Sequence, residues 1–108
     1  MARYLFQASY TSEAWAAQVG NPQNRVEAIR PVIERLGGRL ENAYLCFGDY
    51  DVVVIAEMPD HISAAAFSLA ASAGGGVKAF KTTPLMTVEE GIEAMKKAAG
   101  AGYRPPGR

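Results

Sequence analysis

Four stretches of the chain carry apolar residues in a pattern typical of β-strands, and together they predict a sheet. Each stretch is short, rich in β-branched or aromatic residues, and followed by turn-forming residues, which favours strand over helix. Residues 52–56 are apolar at every position, as expected for a strand that is covered on both faces. Pro84 cannot donate a ladder hydrogen bond, so it predicts an edge, a bulge or an arm leaving the sheet. The predicted strands are residues 3–10, 39–47, 51–58 and 77–86.

Apolar residues spaced three or four positions apart predict helices between these strands. A short helical segment is predicted over residues 13–19, after Thr11 and Ser12, which can cap it. A longer helix is predicted to begin at Asn21–Pro22, because Asn caps free amides and Pro suits the first helical position. Gly37–Gly38 is expected to end it.

Two further helices are predicted later in the chain. One spans residues 61–73 and follows Asp60, whose carboxylate can cap it. The other spans residues 88–99, because Thr87 followed three residues later by Glu90 forms a capping box. The predicted inner face of the first of these helices is Ile62, Ala65, Ala66, Leu69, Ala70 and Ala73.

This order of elements predicts a ferredoxin-like α+β domain, βαββαβ, with a four-stranded antiparallel sheet and an extra C-terminal helix. The helices can cover only one face of the sheet, whereas the strands carry apolar residues on both. The open face therefore needs a partner, and a second copy is the simplest one. We expect a homodimer in which two sheets pack face to face as a dimeric α/β barrel. Residues 1–99 form a single domain in this interpretation, and residues 100–108, rich in Gly and Pro, form a disordered tail.

Composition narrows the classes of function. The chain has 108 residues, enough for one domain, and eleven basic residues balance eleven acidic ones. This balance argues against a nucleic-acid groove or an anionic membrane surface as a partner. No apolar run approaches the roughly 20 residues that cross a bilayer, and the amino terminus lacks a signal-peptide pattern, so we expect a cytoplasmic protein. Cys46 and His61 are the single residues of their types, so we expect no internal disulfide, no metal site and no cofactor.

The segment YLCFGDYDVVVIAEMPD, residues 44–60, closely resembles the motif of the GYD domain family, which is named for a Gly, Tyr, Asp turn. The resemblance extends more loosely from Arg3 to about Glu90 and includes Leu36-Gly37-Gly38. It implies the dimeric α/β-barrel superfamily, which also holds muconolactone isomerases, cofactor-free antibiotic-biosynthesis monooxygenases and stress-response proteins. It implies no activity for this chain, because the GYD family has no established general one.

Three residues are candidates for catalysis. Tyr50 would donate a hydrogen bond and Asp51 would act as a base or orienting carboxylate at the rim of a cavity. Alternatively, Asp51 caps the turn through backbone amides and Tyr50 packs its ring against a neighbouring element. His61 is the natural general base near neutral pH, or a solvent-facing residue at the start of a helix.

Three aromatic residues, Tyr10, Trp15 and Tyr44, are candidates for ligand binding, because aromatic side chains commonly line pockets. They would serve equally as core or dimer contacts. One hypothesis is a homodimer that binds a small apolar or aromatic metabolite in a cleft between sheet and helices, with cofactor-free isomerase or oxygenase-like activity. The alternative is a non-catalytic binding or oligomeric assembly module, because no set of nucleophile, base and orienting group is evident in the sequence.

Overall fold

A single four-stranded sheet organises the chain in the computed structural model, which describes residues 1–107. The order β2-β3-β1-β4, with every neighbouring pair antiparallel, is the ferredoxin-like α+β arrangement, so this prediction is confirmed. Arg108 lies outside the described residues, and the disorder of the tail stays a prediction. The strands are β1 (Ala2–Tyr10), β2 (Arg39–Leu45), β3 (Val52–Met58) and β4 (Val77–Leu85). In the described part of the chain, the helices are α1 (Ser12–Gly20), α2 (Val26–Arg35), α3 (His61–Ala73) and α4 (Val88–Ala99).

The register of the sheet places β1 between β3 and β4. Phe6 of β1 lies opposite Val54 of β3 and Thr82 of β4. Because residues opposite each other in a ladder point to the same side, these three side chains share one face. Pro84 lies on β4, an edge strand, where a missing amide donor is tolerated. Its predicted place at an edge is therefore confirmed.

The core lies between one face of the sheet and helices α2 and α3. Alternate residues of β1 and β3 are buried on this face, and Ile33 and Phe67 pack against them from the helices. Each large apolar side chain stabilises the fold by about 1.5–3 kcal/mol when it is buried. The buried apolar residues are Tyr4, Phe6, Ala8, Ile33, Leu40, Val52, Val54, Ala56, Met58, Ala64 and Phe67.

The predicted start of the long helix is wrong. Helix α2 begins at Val26 and not at Asn21–Pro22. Asn24 forms the turn that precedes it, because its side-chain oxygen accepts a hydrogen bond from the Val26 amide at 3.1 Å. The segment from Asn21 to Arg25 therefore connects α1 to α2, and the helix starts one turn later than the cap signal indicates.

The predicted inner face of α3 is wrong at its large residues, although Ala70 of that predicted face does lie toward the sheet, in the cavity lining. Ala64 and Phe67 are the buried residues of this helix, whereas Ile62 and Leu69 are each 70% exposed. The helix is apolar on several sides, so its periodicity does not choose a face. Phe67 decides the orientation, because its ring packs against Phe6 with a centroid separation of 4.9 Å.

Two apolar surfaces remain uncovered within one chain. On the sheet face opposite the core, Leu5, Val53 and Ile55 are only half-buried. Helix α4 has no buried residue, and its apolar side chains, among them Ile92 and Met95, are exposed. The homodimer and the face-to-face barrel stay predictions, and both surfaces are of the kind that a partner would cover.

Candidate functional site

The Asp51 side chain ties the turn between β2 and β3 to the end of β1. Its Oδ2 atom accepts hydrogen bonds from the Tyr10 amide at 2.9 Å and from the Trp15 indole Nε1 at 3.2 Å. The Asp51 amide donates in turn to the Ala8 carbonyl oxygen at 2.8 Å. A single residue thus connects the turn, the central strand and helix α1.

Neighbouring polar groups hold the same turn. The buried Ser9 hydroxyl donates to the Asp49 carbonyl oxygen at 2.7 Å, and the Cys46 thiol donates to the Tyr50 carbonyl oxygen at 3.2 Å. The Cys46 amide also donates to the Asp51 carbonyl oxygen at 2.8 Å. Hydrogen bonds therefore hold the Gly-Asp-Tyr-Asp turn on both sides. This favours the interpretation in which its residues stabilise the turn over the one in which they act in catalysis.

Beside this turn, a cavity of about 560 Å³ lies between the sheet and helices α1, α2 and α3. Its volume falls within the roughly 300–1,000 Å³ typical of pockets that hold small molecules. Buried residues of β1 and β3 form its floor, so the floor is apolar. The lining residues are Phe6, Ala8, Tyr10, Ala14, Ala17, Gln18, Asn21, Gln23, Arg25, Val26, Ile29, Leu45, Val52, Val54, Phe67, Ala70, Ala71, Gly74, Gly76, Val77 and Phe80.

Small residues on the helices leave the cavity open. Ala14 and Ala17 of α1 face it on one side, and Ala70 and Ala71 of α3 face it on another. None of these side chains is long enough to reach across to the sheet. The space therefore results from the alanine-rich composition of both helices.

Three phenylalanines give the cavity an aromatic wall. The rings of Phe6, Phe67 and Phe80 come from β1, α3 and β4. Phe67 meets Phe6 edge to face at 4.9 Å and Phe80 edge to face at 6.0 Å. This is the preferred geometry for aromatic pairs and fixes the rings relative to one another. The wall suits a flat apolar ligand.

Polar residues collect at the mouth of the cavity. Gln18, Asn21, Gln23 and Arg25 all come from the end of α1 and the segment that leads into α2. Tyr10 also lines the cavity. Burial raises the pKa of its phenol above the ordinary value; the charge of Arg25 opposes this rise, and that of Asp51 adds to it. The phenol is thus a neutral hydrogen-bond donor at physiological pH.

Three of the six predicted site residues are brought together. Tyr10 lines the cavity, and its ring meets the Trp15 ring edge to face at a centroid separation of 5.3 Å. Trp15 lies behind Tyr10 and donates to Asp51. Tyr10 thus lines the cavity and Trp15 does not, and the ligand-binding roles of both stay predictions.

The other three predicted residues lie elsewhere. Tyr44 is opposite Val53 on the sheet face away from the cavity and is 63% exposed. Tyr50 is half-buried in the turn, outside the cavity lining. His61 is exposed beyond the other end of β3, on the order of 20 Å from the turn at the usual rise per strand residue. The structure does not assemble Tyr50, Asp51 and His61 into one site, and their catalytic roles stay predictions.

Sequence reasoning missed two residues that shape the cavity, Phe67 and Arg25. Phe67 is the one aromatic residue in an alanine-rich helix, and this contrast in size could have marked it as the inward position. Arg25 directly precedes the first residue of α2. Because the start of this helix was predicted incorrectly, the position of Arg25 beside the cavity was not predicted either. Both signals depend on knowing the orientation or the start of a helix.

Among residues 1–107, no helix is long and apolar enough to cross a membrane. In the same part of the chain, no three His, Cys, Asp or Glu side chains come together as ligands for a metal ion.

Fold and site together define a small ferredoxin-like α+β domain with an apolar cavity beside a Gly-Asp-Tyr-Asp turn. The family model of the GYD domain matches residues 4–95, so the chain belongs to the GYD domain family. Comparisons with curated proteins and with solved structures give no significant match. The function is therefore inferred from the cavity itself.

Replacing Asp51 with Ala tests the role of this carboxylate in the fold. The Tyr10 amide and the Trp15 indole N–H lose their shared acceptor, so we expect the free energy of unfolding to fall by about 1–3 kcal/mol. Urea denaturation followed by tryptophan fluorescence measures this loss, and Trp15 is the single tryptophan. Its emission in the folded Asp51→Ala protein should also shift toward that of exposed indole.

The matched control is Asp49→Ala in the same turn. Asp49 is exposed and contributes its backbone carbonyl to the Ser9 contact, which the substitution retains. Its effect should stay within about 0.5 kcal/mol. Equal losses in the two variants would contradict a specific role for the Asp51 carboxylate.

Proposed function

We propose that this GYD-family protein binds a small apolar or aromatic metabolite in the cavity between its sheet and its helices. The observation that carries the proposal is the 560 Å³ space with an apolar floor and a wall of Phe6, Phe67 and Phe80. Burial of apolar ligand surface there contributes roughly 25 cal/mol per Å² to binding. The polar residues at the mouth of the cavity would orient the ligand.

The cavity supports binding more than turnover. Tyr50, Asp51 and His61 are absent from its lining among the described residues, and the Asp51 carboxylate already accepts two hydrogen bonds. A cofactor-free isomerase or oxygenase-like reaction needs a group that exchanges a proton with the ligand. Tyr10 is the lining residue that offers such a group, and its raised pKa suits a donor better than a base.

The proposal includes a homodimer formed through the open face of the sheet. Leu5, Val53 and Ile55 are half-buried there, and a second sheet packed against them would remove their apolar surface from water. A two-fold arrangement lets the same patch serve both copies. In each subunit the cavity lies on the helix-covered face of the sheet, away from this interface. Each subunit would therefore keep its own ligand site.

A substitution that fills the cavity with a larger side chain should weaken ligand binding. In Ala17→Phe, a ring on α1 projects into the space, so we expect affinity for 1-naphthoate and 1-naphthamide to fall at least about tenfold, as when a bound ring is displaced. Isothermal titration calorimetry of the purified wild-type and variant proteins measures the change.

The neighbouring Ala16→Phe is the matched control, because Ala16 is exposed on the same helix and lies outside the cavity lining. It should bind both probes as the wild type does. The proposal is refuted if the wild type binds neither probe at ~1 mM, or if the two phenylalanine variants bind alike.

A second candidate function is assembly through α4. Its exposed apolar residues Val88, Ile92 and Met95 are spaced four and three positions apart, so they form one stripe on the helix. An amphipathic helix of this kind docks its stripe into a partner's groove. The observation that favours this candidate is that all three residues are exposed within one chain, Val88 by 75%, Ile92 by 46% and Met95 by 70%.

Size-exclusion chromatography with light scattering separates the two candidates. The assembly function predicts oligomers larger than a dimer, which Ile92→Gln should reduce in size while Glu93→Gln on the polar side of the helix leaves them intact. The ligand-binding function predicts a dimer for all three proteins. A wild-type monomer at about 100 μM, well above ordinary dimer dissociation constants, would contradict the homodimer.

A further inference from the structure

Among the described residues that line the cavity, Arg25 stands out because it is the one that carries a formal charge. Its side chain is exposed, and within residues 1–107 no carboxylate lies within ion-pair distance of its guanidinium. Arg3, Arg30 and Arg39, by contrast, each pair with a glutamate. The charge of Arg25 therefore remains available at the mouth of the cavity.

The charge of Arg25 lies at the start of α2. Asn24 caps this helix end, because its side-chain oxygen accepts a hydrogen bond from the Val26 amide at 3.1 Å. Arg25 makes no side-chain cap hydrogen bond, and a positive side chain at the positive end of a ten-residue helix is disfavoured by the helix dipole. Residues that break such local rules are expected at functional sites. A bound anion would offset this effect.

Other groups at the mouth are compatible with an anion. The Tyr10 phenol is a neutral donor, and the side-chain amides of Asn21 and Gln23 add further N–H groups. The Asp51 carboxylate accepts hydrogen bonds from the Tyr10 amide and the Trp15 indole and lies outside the cavity lining. Among residues 1–107, the lining holds these donors and no acidic side chain.

We propose that the ligand of this cavity is a carboxylate with an aromatic or apolar body. Its acidic group would pair with the Arg25 guanidinium, which matches a carboxylate with two parallel N–H donors. Its ring would lie against Phe67 and Phe80, which also line the space. This inference rests on the proposed function and adds the charge of the ligand to it.

The test compares 1-naphthoate with 1-naphthamide, which share a ring system and differ in charge. We expect the wild type to bind the carboxylate about tenfold more tightly, as for a charge-assisted hydrogen bond at a solvent-accessible site. Arg25→Gln should bring the two dissociation constants together by weakening the carboxylate alone. Arg25→Lys should keep part of the preference, because it retains the charge but loses the planar pair of donors.

Arg35→Gln is the matched control, since Arg35 is exposed at the other end of the same helix and lies outside the cavity lining. It should leave the tenfold ratio unchanged, and raising the salt concentration should reduce the ratio in the wild type. Equal wild-type affinities for the two probes, or an unchanged ratio in Arg25→Gln, would overturn the inference. If Ala17→Phe still blocked both probes in that case, the proposed small-molecule site would stand.

Discussion

The fold of this protein depends on one carboxylate that joins the β2–β3 turn to β1 and α1, two elements much earlier in the sequence. Asp51 accepts the Tyr10 amide and the Trp15 indole N–H through the same oxygen, while its own amide donates to Ala8. These hydrogen bonds fix where the β2–β3 turn meets the end of β1 and where α1 leaves it. Because α1 forms one wall of the cavity, the Gly-Asp-Tyr-Asp turn holds this wall in place through Asp51 and Trp15, while Tyr50 and Asp51 lie outside the described lining.

Side-chain size divides the space between the sheet and the helices into two regions. Near the far ends of β2 and β3, Ile33, Leu40 and Met58 are buried and fill the core. Near the turn, alanines of α1 and α3 stand over the sheet and leave an apolar space with donors at its mouth. Proteins pack their interiors closely, and the proposed binding function rests on a cavity of this size in a chain of 108 residues.

The sequence was sufficient to predict the sheet and most helices, because the alternation of apolar and polar residues, the capping residues and the glycine turns are local signals. The α4 capping box at Thr87 and Glu90 and the edge position of Pro84 illustrate this. The face of α3 was not predictable, since an alanine-rich helix shows no preferred side until Phe67 meets Phe6. The cavity lining was harder to predict than the fold: Tyr10 was named from its residue type and does line the cavity, whereas Arg25 lies in the lining because α2 starts at Val26, beside the cavity.

A crystal structure of the protein grown with 1-naphthoate tests this account most directly. The account predicts the naphthalene ring in the cavity against Phe67 and Phe80, with the carboxylate about 2.7–2.9 Å from the Arg25 guanidinium. It also predicts Asp51 in contact with Tyr10 and Trp15, as in the chain without ligand. A cavity closed by its own side chains, or a probe bound only on the other face of the sheet, would contradict it.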